Sequence, residues 1–123
     1  MNYDIQRLTV GSNPTLLARI ADEDGNLFTA RDFVYITGNI RHRATGKTPI
    51  GFDDFDIPLS SVLPSLEKTE AWYKDNDGYN FRYRLSGTAT APALPWPGEY
   101  YVHLTFIRAT APPFVLRYEC EVQ

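Results

Sequence analysis

The nine residues Phe114–Val122 alternate with a strict period of two. Phe114, Leu116, Tyr118, Cys120 and Val122 fall on one side, and Val115, Arg117, Glu119 and Glu121 on the other. Successive strand side chains point to opposite faces, so this pattern has few readings besides a half-buried β-strand. Residues 98–108 repeat it, with Tyr100, Val102, Leu104 and Phe106 set against Tyr101, His103, Thr105 and Ile107. The intervening Ala109-Thr110-Ala111-Pro112-Pro113 fits a hairpin loop.

Nine prolines and eight glycines interrupt the 123-residue chain, which leaves little room for long helices. The runs between them are rich in β-branched and aromatic residues. Residues 15–21 read as a strand with Leu16, Ala18 and Ile20 on one face. The turn Asp22-Glu23-Asp24-Gly25-Asn26 follows. Residues 33–43 form a second run, with Val34, Ile36 and Ile40 against Tyr35, Thr37 and Arg41. Gly38 lies on the inner face, where glycine marks a bulge or a close approach. Residues 55–59 are expected as an edge strand because of Pro58. Residues 60–63 and 65–71 are expected as helical turns, the second capped by Ser65. Residues 79–85 alternate Phe81, Tyr83 and Leu85 against Asn80, Arg82 and Arg84. The proline- and alanine-rich residues 86–97 are expected to cross between sheets. The resulting expectation is an all-β, two-sheet antiparallel sandwich of about seven strands, a single domain over residues 1–123.

Composition narrows the role. Hydrophobic residues at 43% and charged residues at 22% rule out wholesale disorder. A net charge of −3 argues against a nucleic-acid partner, since domains built to grip nucleic acid are basic. One cysteine, Cys120, excludes an internal disulfide and is expected as a small core residue. The N-terminus carries Asp4, Gln6 and Arg7 and lacks the apolar core of a signal peptide. No apolar stretch is long enough for a spanning helix. A domain beginning at Met1 is expected to be a free-standing gene product kept inside the cell, or exported without a cleavable signal.

The chain runs strand, Asp-Glu-Asp-Gly-Asn turn, strand, then Trp72-Tyr73-Lys74-Asp75-Asn76-Asp77-Gly78-Tyr79-Asn80-Phe81. Pro97-Gly98-Glu99-Tyr100-Tyr101-Val102 then opens the penultimate strand. From about Thr15 to Val122 this resembles disulfide-free immunoglobulin-like β-sandwich domains of bacterial surface proteins and of phage tail, baseplate and head-fibre subunits. The Cys…Trp…Cys pattern of antibody domains does not occur. The resemblance implies binding or assembly without catalysis, and it names no ligand.

Chemistry-bearing motifs are few. Gly46-Lys47-Thr48 echoes a phosphate-binding loop, but Arg41 stands where its first glycine belongs, and no helix is expected to follow. The acidic runs around Asp22, Asp53 and Asp75 are ordinary turn chemistry and lack the spaced ligands of a calcium loop. His42 and His103 have no evident zinc partners, and no cofactor is expected. Arg41, His42, Arg43 and Lys47 form a basic cluster that Arg82 and Arg84 could extend. Trp72 is expected in the core, and Trp96, between two prolines, suits core and interface equally.

These observations lead to an expectation of a non-enzymatic structural subunit. It would be an accessory, decoration or adaptor component of a phage particle or phage-like machine, found in the virion or in the host cytoplasm during assembly. Its partners would be other protein subunits, copies of itself included. The candidate interface residues are Trp96, Tyr101, Ile107, Val115, Arg41 and Arg43, with an outward apolar patch if Tyr101, Ile107 and Val115 are neighbours. The alternative is a carbohydrate-binding module that stacks glycan on Trp96, Trp72 and tyrosines.

Overall fold

Alternating strands leave one apolar face to be covered, and two sheets cover each other here. The computed structural model describes residues 2–72 and 74–123. Met1 and Tyr73 lie outside the described residues, as do the side chains of Asn2, Asp4, Ile5, Gln6 and Arg7. The strands are β1 (Asn2–Leu8), β2 (Thr15–Ala18), β3 (Tyr35–His42), β4 (Phe55–Ile57), β5 (Val62–Glu67), β6 (Tyr79–Arg84), β7 (Gly98–Ile107) and β8 (Phe114–Val122). Helical structure among the described residues is limited to 3-10 turns at Ala30–Asp32 and Leu59–Ser61.

One sheet has the order β1-β8-β7-β3-β4 and the other β2-β6-β5. The expected all-β sandwich is the fold, with the strand layout of immunoglobulin-like architectures. Strands pair antiparallel except β1, which runs parallel to β8. Sequence reading did not anticipate β1 as a strand. Its edge position is completed by a bond from Gln123 N–H to the Leu8 carbonyl at 2.9 Å.

The core follows the alternation. Tyr100, Val102, Leu104 and Phe106 of β7 are fully buried and face Leu16, Ala18 and Phe81 of the other sheet. Phe81 and Phe106 meet edge-on at 5.2 Å between ring centroids, and the Tyr118 hydroxyl donates across the layers to the Leu17 carbonyl at 2.9 Å. Cys120 is buried in this core, as expected. Residues 86–97 do cross between the sheets, and they bury Ala93 and Leu94.

Tyr100 shows how Pro97-Gly98-Glu99-Tyr100 works. Its hydroxyl donates to the Trp96 carbonyl at 2.7 Å and accepts from the Trp96 N–H at 2.6 Å. This is a tyrosine corner, which ties the start of β7 to the loop entering it. Gly38 marks a close approach: the Phe55 ring lies where a Cβ would project, 2.4 Å from its ideal position. Phe55 thereby reaches over the directly paired Gly38 to stack 6.2 Å from Tyr83 of the other sheet.

Three local expectations are corrected. Residues 62–67 form strand β5, not a helical turn capped at Ser65. Glu67 pairs with Tyr79 and Val62 with Phe81, and an edge position tolerates Pro64 because no neighbour needs its missing N–H. Val34 lies outside β3 and is 55% exposed, so it does not join Ile36 and Ile40 on the inner face. Asn80 is buried, because the segment Ile20–Phe28 folds over it.

Candidate functional site

Strand register assembles Arg41, Arg43, Tyr101, Ile107 and Val115 on one surface, the outer face of the five-stranded sheet, and leaves Trp96 off it. Across β3, β7 and β8 its rungs are Tyr35 with Ile107, then Thr37, Thr105 and Val115, then Asn39, His103 and Arg117, then Arg41, Tyr101 and Glu119. A last rung follows where Arg43 N–H donates to the Glu99 carbonyl at 2.9 Å and Glu99 pairs with Glu121.

The face has two ends. Tyr101 and Ile107 are six residues apart on β7, about 20 Å at ~3.4 Å per residue. The expected patch of Tyr101, Ile107 and Val115 is therefore corrected. Ile107 and Val115 are diagonal neighbours, and their companion is Tyr35, 50% exposed; exposed Val34 adjoins the end of β3 and donates its N–H to the Ile107 carbonyl at 2.7 Å. Neither Tyr35 nor Val34 was expected at the interface, although the two are adjacent in sequence and cannot both face inward along one strand.

Tyr101 belongs to a charged end. The Arg117 guanidinium lies 3.9 Å from the centre of its ring, and that of Arg43 lies 5.8 Å away. Arg117 also bonds Glu119 at 3.0 Å, and Arg43 is ion-paired to Glu99. Arg41 and Glu121 are exposed and make no ion pair among the described residues. A recess of about 230 Å³ opens beside Arg43, Glu99, Tyr101 and Glu119. Burial first, then the charges of Arg117 and Arg41, push His103 below its ordinary pKa of 6.5.

The basic cluster is dispersed. Arg41 and Arg43 sit on this face, but His42 points inward and is buried, its Nε2 donating to the Pro97 carbonyl at 2.9 Å and its Nδ1 paired with the Thr45 hydroxyl at 2.8 Å. Arg82 and Arg84 belong to β6 in the other sheet and do not extend the cluster. Arg82 pairs with Glu67 at 3.1 Å.

The tryptophans separate. Trp72 is buried, as expected, and its indole N–H donates to Asp75 at 3.1 Å, so it offers no stacking platform. Trp96 is half-buried, 5.5 Å from the His42 ring. It walls a groove of about 410 Å³ with Ile50, Pro49, Pro92 and Pro95, none of which belongs to the outer-face rungs.

The acidic runs are turn scaffolding. Asp22 accepts from the N–H groups of Asp24 and Asn26, both at 2.9 Å, and Gly25 takes φ +84°. Asp75 receives Arg19 at 2.6 Å as well as Trp72 and two backbone N–H groups, and the Arg19 guanidinium leads in holding its carboxyl well below the usual range. Among the described residues no three His, Cys, Asp or Glu side chains converge as metal ligands, and no helix is long and apolar enough to cross a membrane. Comparison with protein-family models, with curated proteins and with solved structures found no match.

Proposed function

We propose that this protein is a non-catalytic assembly subunit that docks through the outer face of its five-stranded sheet. The observation that carries this reading is the apolar set of exposed Tyr35 and Val115 with half-buried Ile107, on the same face as the Tyr101–arginine–glutamate cluster. An apolar patch beside aromatic and arginine side chains is a common composition for a protein–protein contact. The immunoglobulin-like layout and the resemblance of residues 15–122 to phage subunits extend the reading to an accessory or decoration component of a phage particle or phage-like machine.

Sedimentation tests it. A lysate of the source cells is spun through a sucrose gradient and the fractions are probed for the chain. Recovery in the particle peak is expected. Recovery only near the top of the gradient refutes the reading.

A further inference from the structure

We propose that the outer face of the five-stranded sheet pairs with the same face of a second copy of the chain, about a two-fold axis running along β7. The inference rests on the reading of this face as the contact surface and names its partner. β7 is the middle strand of the order β1-β8-β7-β3-β4. A half-turn about its length lays β7 on β7, β3 on β8 and β8 on β3, as an isologous contact requires.

The charges suit that exchange. On the β3 side, consecutive outward positions at the charged end are Arg41 and Arg43, and the same rungs on β8 carry Glu119 and Glu121. Pairing sets Arg41 of one copy over Glu119 of the other and Arg43 over Glu121, each twice by symmetry; on the axis Glu99 meets its own copy, each carboxylate held by its ion pair with Arg43. Arg41 and Glu121 have no ion-pair partner in their own chain among the described residues. The middle rung opposes Asn39 to Arg117, which brings no like charges together.

At the other end Thr37 and Tyr35 come against Val115, and Ile107 meets its own copy on the axis. Apolar end therefore covers apolar end. An axis across the strands would instead lay the apolar end on the arginines and glutamates. Aligned sheets pack with their strands about 30° apart, which a small tilt of the axis provides. At ~3.4 Å per residue and ~4.8 Å between strands, the five strands cover about 600 Å² in projection. Side-chain relief brings this toward the roughly 800 Å² per partner of a standard interface.

Light scattering behind size exclusion, over about a hundredfold range of concentration, tests the pairing on the full chain. The variants are Arg41→Glu and Glu119→Arg, each alone, mixed in equal amounts, and combined in one chain. Both positions are exposed, and circular dichroism checks that each variant keeps its strands.

The wild type is expected to dimerise. Each single variant would set like charges opposite one another and lose dimer throughout the range. The equal mixture would restore a dimer holding one copy of each variant, and the combined variant would dimerise with itself. A monomeric wild type overturns the inference. So does a dimer that ignores both reversals, or a loss that neither the mixture nor the combined variant repairs. A chain found in the particle peak of the gradient yet monomeric alone defeats the self-pairing and leaves the assembly reading standing.

Discussion

Replacing Asn80 by Leu keeps the branched shape of the side chain and removes its hydrogen bonds. In the native protein the Asn80 side chain accepts from Ile20 N–H at 2.7 Å and donates to the Ile20 and Phe28 carbonyls at 2.9 and 3.2 Å. The Ile20 carbonyl keeps a second donor, the Phe28 N–H at 3.0 Å. Two buried groups lose their only partner among the described residues, the Ile20 N–H and the Phe28 carbonyl. A buried polar group left unsatisfied costs about 1–3 kcal/mol, so the pair costs roughly 2–6 kcal/mol. That is a large fraction of the ~5–15 kcal/mol that holds a domain folded.

For a chain of this length the loss lowers the melting temperature by roughly 6–24 °C. Thermal melts followed by circular dichroism measure it. Asn39→Leu is the control. Asn39 bonds Asp53 at 2.9 Å at the surface, and its loss changes stability by no more than about 0.5 kcal/mol. A melting temperature for Asn80→Leu within about 2 °C of wild type would refute the view that Asn80 anchors the Ile20–Phe28 segment, because the smallest cost considered above already exceeds that shift.

Four further outcomes are expected. Tyr100→Phe keeps the ring and removes both bonds to Trp96, lowering unfolding free energy by about 1–3 kcal/mol, read as a lower urea midpoint at unchanged slope. Gly78→Ala destabilises by more than about 1 kcal/mol in the same assay, because Gly78 has φ +103° and its added Cβ would sit 2.3 Å from the Glu67 carbonyl oxygen. Asp75 has a depressed folded pKa, so its contribution is complete above its ordinary value of 3.8 and disappears as pH falls through that value toward the folded one. Acid titration of stability should accordingly be shallower below about pH 4 in Asp75→Asn than in wild type. Burial pushes the Cys120 thiol up to about 12, so it should resist a thiol reagent at pH 8 in the native protein and react in full once unfolded.

The strands were legible wherever one face is buried and the other wet. In Gly98–Ile107 and Phe114–Val122 the alternation of residue types is the alternation of burial, because the pleat allows no other assignment. Turns announced themselves through local chemistry, as Asp22 and Gly25 show. Val62–Glu67 did not, because a short edge strand holding Pro64 has no buried face to pattern, and serine and proline next to Leu63 imitate a helix start.

The sequence by itself determined that the chain is a β-sandwich with a disulfide-free core, since periodicity and composition are local properties. It also supplied part of the candidate face, namely Tyr101, Ile107, Val115, Arg41 and Arg43. Tertiary structure alone decided which members meet. Tyr101 and Ile107 share a strand yet lie at opposite ends of the face, and Arg41 comes level with Glu119 only through the register of β3, β7 and β8. His42 turns inward beside two arginines that stay outside, and Asn80 is covered by a segment some sixty positions earlier in the chain. Register and coverage are long-range facts. They are fixed by how sheets pair and pack, and no window of sequence contains both partners.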